Sequence, residues 1–267
     1  MSVDYRTSAP ETQKLLDDST VKFLTLHYPP ANLGPKALIA YCGVATAQDN
    51  KTPLGDWLRT TMRGETESFA DSMKHLGARL DRDLSRWLHR FQTPLVVNVL
   101  AIDSQRKRYF GGFSNLKSGG ASVSRNFEYR MEALTHPLFG NGSAAMRVLI
   151  SGEGAKLSHA LSVPIRHPRE HMQLLAEVNG RVARVEKTVS PHCHVSFVSA
   201  DNQFRSRSEV FDQRPRQVPL KLRLPTIVLG ADLSESPEQF VQDVEHDNAR
   251  LTASEVAAIN QSLPRRR

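Results

Sequence analysis

Ser2, Val3, Asp4, Tyr5, Arg6 and Thr7 open the chain, which then crosses a polar segment and returns through Ser19, Thr20, Val21, Lys22, Phe23, Leu24, Thr25 and Leu26. β-Branched and aromatic residues recur in both runs, and they favour half-buried strands over helix. Two extended segments with a connection are expected, with Lys22 on the second and close to Asp4 if the two pair. A Lys and an Asp carried to the edge of a core are either an ordinary, partly exposed ion pair, which contributes little, or a functional pair.

Working outward, Lys36 to Ala45 is almost continuously apolar, as in a strand covered on both faces, and Gly43 permits a close backbone approach at its end. Pro53 to Met62 predicts a short helix with Leu54, Trp57, Leu58 and Thr61 on one face. A longer helix is expected from about Glu67 to Phe91, its core face running through Phe69, Met73, Leu76, Leu80, Leu84, Trp87, Leu88 and Phe91. Asp71, Lys74, Arg79, Arg82 and Arg86 lie on its opposite face, read as a charged solvent face with a nucleic-acid face as the alternative. Leu95 to Ile102 and Arg108 to Phe113 predict an antiparallel hairpin. Phe127 to Leu134 is read as strand or irregular chain.

Gly140 to Ser143 is expected as a flexible junction, with helix or strand starting in Ala144 to Ile150. Arg166 to Lys187 predicts a helix with Pro168 in its first turn and Met172, Leu175, Val178, Val182 and Val185 along one side. A strand follows over Val189 to Val198. Beyond Arg205 the chain turns Pro- and Arg-rich, passes an apolar segment at Thr226 to Gly230, and signals two short helices, one with Thr252 and Glu255 at capping-box spacing.

With 267 residues, 39% of them hydrophobic, the chain can bury the core of one large domain or one domain with an appendage. No apolar run approaches a membrane span and the start lacks a signal-peptide pattern, so a cytoplasmic protein with no membrane partner is expected. The two cysteines, Cys42 and Cys193, lie in apolar runs, are expected as small core residues, and imply no disulfide framework. The formal charge of +7 favours contact with acidic partners. Without a recognition motif or an aromatic platform it does not identify a nucleic-acid binder, and weak, salt-sensitive nucleic-acid binding through the basic tail stands as a further alternative.

His192, Cys193 and His194 are the most metal-like cluster, because alternation along a strand puts both histidines on one face. No third or fourth ligand stands at a recognisable spacing, and satisfied strand histidines are expected rather than a metal site. The paired glycines match neither a P-loop nor a dinucleotide fingerprint, so no cofactor is expected.

The order of elements, with Val3, Asp4, Tyr5, Arg6, Thr7 and Ser8 matching an early Asp-x-Arg strand and Lys22 followed by Phe23 standing in the next, resembles the proteasome-like branch of the N-terminal nucleophile hydrolases. The resemblance covers roughly residues 1–205. It implies an α+β, four-layer αββα sandwich of two antiparallel sheets, with residues 206–267 as a basic linker and helical appendage. It also implies amide- or peptide-bond hydrolysis in a self-associating, homo-oligomeric assembly acting on a peptide substrate. Asp4 and Lys22 take the roles of orienting carboxylate and oxyanion-stabilising ammonium.

Members of that branch carry a Thr, Ser or Cys nucleophile, whose α-amine is the general base, more than a full strand before the Asp. Here only Met1, Ser2 and Val3 precede Asp4, so the expectation is a sequence that begins downstream of its nucleophile strand or a degenerate, inactive hydrolase. The alternative is a non-catalytic structural or interaction protein that associates with itself.

Overall fold

The structure, a computed structural model, describes residues 2–4, 7–8, 15–17, 22–28, 34–44, 46–47, 52–64, 68–117, 122–133, 156, 159–160, 167–185, 189–198, 207–211, 226–228 and 230–232. The junction at 140–143, the segment 144–150 and the helices expected after residue 235 lie outside the described residues. The strands are β1 (Ser2–Asp4), β2 (Thr7–Ser8), β3 (Leu15–Asp17), β4 (Phe23–His27), β5 (Lys36–Cys42), β6 (Val96–Ile102), β7 (Arg108–Leu116) and β8 (Val123–Ala133). After them come β9 (Cys193–Phe197), β10 (Arg207–Phe211), β11 (Thr226–Val228) and β12 (Ala231–Asp232). The helices are α1 (Leu54–Met62), α2 (Phe69–Asp83), α3 (Ser85–Arg90) and α4 (Pro168–Val185).

The chain is α+β and divides into two compact units, Met1–Lys22 with Ala133–Leu222, and Phe23–Glu132 with Arg223–Arg267. In the second unit β5 is the strand the sequence marks as covered on both faces, and Ala37, Leu38, Ile39, Ala40 and Tyr41 are all buried. It sits inside a seven-stranded sheet of order β12-β11-β4-β5-β6-β7-β8. From β4 to β7 neighbours are antiparallel, in registers such as Phe23 with Ala40, Ala40 with Asn98 and Asn98 with Gly112. The expected hairpin is therefore β6–β7.

The sheet is mixed rather than wholly antiparallel, because β11 runs parallel to β4 with Ile227 beside Leu26. A hairpin cannot supply a parallel neighbour. Here the chain reaches β4's second edge only after passing through the other unit. Residues 206–267, expected as linker and appendage, thus contribute β10, β11 and β12 to sheets.

One face of this sheet carries α1, α2 and α3. Leu54, Leu58, Met73, Leu76, Leu80, Leu84 and Leu88 pack with Ile39, Tyr41, Val97, Val99 and Phe113 in one apolar cluster. Ser68 caps α2, its Oγ accepting from the Asp71 backbone N–H at 3.1 Å. The long helix expected through Phe91 breaks at Leu84. Ser85 Oγ donates to the Asp81 carbonyl at 2.5 Å, a back-bond that bends helices. Leu84 and Leu88 still donate to residues four back, which keeps the apolar stripe in line across the break. Phe91, expected on the core face, is 49% exposed because α3 ends one residue before it.

Cys42 is exposed rather than in the core, since β5 is leaving the sheet there. At the next position Gly43 has φ 125°, and a Cβ would overlap the Pro94 carbonyl oxygen, so the close approach read from the sequence is present.

In the first unit, β1, β9 and β10 form an antiparallel sheet with β9 central, and β2 pairs with β3. Cys193 and Val195 pack with Met172, Leu175, Ala176, Phe197 and Phe211, which seats α4 on one face of this small sheet. Val185, expected on the inner stripe, is exposed at the last residue of α4. Among the described residues no helix is long and apolar enough to cross a membrane.

Truncation tests the weight of the main cluster. Leu80→Ala removes a fully buried side chain and is expected to cost about 2–5 kcal/mol. The exposed Lys74→Ala on the same helix should change stability by less than about 0.5 kcal/mol. Urea unfolding followed by tryptophan fluorescence checks both, because Trp57 and Trp87, the chain's two tryptophans, pack against this cluster.

Candidate functional site

Lys22 immediately precedes β4 and only 8% of it is exposed. An ammonium so placed is costly unless acceptors or an opposite charge hold it, so Lys22 is not the partly exposed surface lysine of the simpler reading. Asp4 ends β1, and both residues belong to the same compact unit.

The two opening segments do not pair with each other. β1 joins β9, with Ser2 beside Val195, Val3 beside His194 and Asp4 beside Cys193. Both edges of β4 are taken, one by β5 and the other by β11, which leaves β1 no ladder to join there. β9, buried along most of its length, holds β10 on one edge and takes β1 on the other.

That pairing brings two sequence-flagged features onto neighbouring strands, the Asp4 segment and the His192, Cys193, His194 run. Cys193 and Val195 face the α4 cluster, so alternation sends His194 to the other face, and both histidines are buried. The approach to β9 is fixed by Ser190. Its Oγ accepts from the His192 backbone N–H at 3.1 Å, and its carbonyl accepts from Asn179 Nδ2 of α4 at 2.8 Å. Burial lowers the His194 pKa to about 4, which leaves a neutral imidazole at neutral pH. Among the described residues no three His, Cys, Asp or Glu side chains are grouped to hold a metal ion.

The other unit contains a charge cluster that the sequence reading missed. Asp232 is fully buried, with Arg59 Nε at 3.3 Å and Arg63 Nε at 3.6 Å from its carboxylate. The two arginines stand four apart at the end of α1 and so share a helix face. Gly64 N–H donates to the Gly230 carbonyl at 3.0 Å beside them. Together these contacts fasten the β11–β12 turn to α1. The only signal in the sequence was the Arg59/Arg63 spacing, and nothing local named its partner 169 or more residues away.

A third imidazole, on the partly buried His27, lies opposite Lys36 in the β4–β5 register. Its pKa is lowered to about 4, first by burial and then by the Lys36 charge.

These histidines predict an acid limit. The folded pKa of His194 lies below the ordinary value of 6.5, so the unfolded chain takes up the proton first. The stability contributed by the neutral form is complete above pH 6.5 and is lost as pH falls towards 4, by up to about 3 kcal/mol. His194→Gln should flatten that part of the pH dependence. Amide exchange across residues 168–197 between pH 7 and 4.5 measures the difference.

No protein-family model matches the chain, and no curated protein matches it. Among solved structures it is similar to a Gly-1 mutant of Anbu from Hyphomicrobium sp. strain MC1, with a TM-score of 0.48 and 9% identity over 80% of this chain and 84% of that one. It is similar also to the Anbu complex from Pseudomonas aeruginosa in its helical assembly, with a TM-score of 0.49 and 11% identity over 100% and 92% of the two chains. A third is Anbu from Yersinia bercovieri, described as an ancestral β-subunit, with a TM-score of 0.42 and 10% identity over 100% and 93%.

Proposed function

We propose that this is a proteasome-like protein of the N-terminal nucleophile hydrolase fold, of the four-layer αββα kind. Asp4 and Lys22 form the charge-bearing half of an amide- or peptide-hydrolysing centre, and the chain works as a homo-oligomer in the cytoplasm. The observation that carries this reading is the burial of Lys22 at the entrance to β4. The Asp-x-Arg setting of Asp4, Tyr5 and Arg6 on the same compact unit supports it.

The chemistry follows from the two side chains. Attack on an amide carbonyl places negative charge on the nucleophile's oxygen as its proton leaves, and a nearby ammonium in a water-poor setting stabilises that charge. Lys22 supplies the ammonium. Asp4 balances it while the site is empty and limits the side-chain positions it adopts. This pair stabilises charge and does not itself attack. The reading invokes no cofactor or metal.

A double-mutant cycle tests the pair without any substrate. Asp4→Asn and Lys22→Met, singly and together, should show a coupling of about 1–3 kcal/mol in urea unfolding if the two charges meet. Additivity within about 0.5 kcal/mol would sink the assignment. Where the full chain hydrolyses members of a fluorogenic peptide library, kcat should fall about a hundredfold or more in Lys22→Met. Coupling without any hydrolysis would overturn the enzymatic reading in favour of a non-catalytic, self-associating protein.

A further inference from the structure

β8 is the last strand of the large sheet and, among the described residues, no strand pairs with its outer edge. It is eleven residues long, with Glu128, Tyr129, Arg130, Glu132 and Ala133 exposed. A long edge of this kind presents unpaired backbone groups and is a template for another strand.

Its polarity can be read from two contacts. The Arg130 carbonyl lies against Gly111 of β7, so residue 130 turns its backbone groups inward. Phe127 N–H donates instead to Asp81 Oδ1 of α2 at 2.9 Å, so residue 127 does not spend its donor on β7. Alternation then directs the backbone groups of 127, 129, 131 and 133 outward. The donor of Phe127 is already used, which leaves the stretch from Tyr129 to Ala133 as the open edge.

We propose that this stretch is a self-association surface on which a second copy of the chain pairs antiparallel across a two-fold axis through Met131. The charges select both the partner and the register. In that arrangement Arg130 of each copy stands directly opposite Glu132 of the other, so the surface complements itself, as a two-fold contact requires. A two-fold through Arg130 would instead set Arg130 against Arg130 and Glu128 against Glu132, with like charges opposed. A two-fold through Tyr129 would also match charges, Glu128 with Arg130, but it needs the Phe127 donor that Asp81 occupies. The neighbouring Glu128, 2.8 Å from Arg130 within the strand, extends the ladder of alternating charge.

This surface gives the proposed self-association a location. It rests on that part of the functional reading alone, and not on Asp4 or Lys22. The test is a charge swap on the full chain, with mass read by light scattering after size exclusion across a micromolar concentration series. Arg130→Glu and Glu132→Arg, each alone, should weaken the association constant about tenfold or more, because each sets two like-charge pairs across the axis. The combined Arg130→Glu/Glu132→Arg protein should return to within about threefold of the parent, since the pairs are again opposite in sign. Both sites are exposed, and unchanged circular dichroism confirms that folding is intact. A parent that stays monomeric, single variants that associate as the parent does, or a swap that fails to restore association would each overturn the proposal. Restoration by swapping Glu128 with Arg130 instead would overturn the register. None of these outcomes bears on the Asp4–Lys22 coupling, which the double-mutant cycle reads separately.

Discussion

A strand with no polar side must be covered twice, and β5 imposes that demand on the larger unit. Leu38 and Ala40 turn to one face and Ala37, Ile39 and Tyr41 to the other, and all five are buried. On the second face the cover is the leucine stripe of α1, α2 and α3. The stripe has to survive the bend at Leu84 for this to work, and it does because the i to i−4 ladder is kept through Leu84 and Leu88 while Ser85 alone diverts its side chain. The backbone meets the same demand at Gly43, where only a residue without a Cβ lets the chain leave β5 against Pro94.

Much of this was legible because it is local. α1, the β6–β7 hairpin, α4 and the buried nature of β5 follow from periodicity and turn residues, which act over a few positions. What was not legible is the choice of partner between distant strands. The opening segments resemble a hairpin pair, yet β1 goes to β9 and β4 takes β11, because edge availability is settled only after the whole sheet exists. Periodicity also carries no information about where a stripe stops. Phe91 and Val185 continue their helical patterns in sequence, but each stands at or just past the end of its helix and is left in solvent.

The candidate site divides along the same line. Residue type flagged Asp4, Lys22 and the His192 to His194 run, since charge and imidazole in apolar surroundings stand out in any sequence. That Asp4 lies opposite Cys193 could not be read, for it is a register between residues 189 positions apart. Asp232 was missed for the related reason that a buried carboxylate looks like a surface one until its two arginines are in place. Its removal would leave two guanidiniums near α1 without that counter-charge, a cost set by desolvation rather than by the pair's net attraction.

The two ends of the large sheet show how far the fold separates closure from assembly. One end finishes in β12, a strand of two residues whose Asp232 is tied to α1, so that edge is short and held down by buried charge. The other finishes in β8, long, exposed and carrying charges of alternating sign on one face. Charged side chains usually blunt an edge against random pairing. Placed as Glu128, Arg130 and Glu132, they oppose most registers while leaving matched ones open, so the same residues that prevent unspecific aggregation are able to select a copy of themselves.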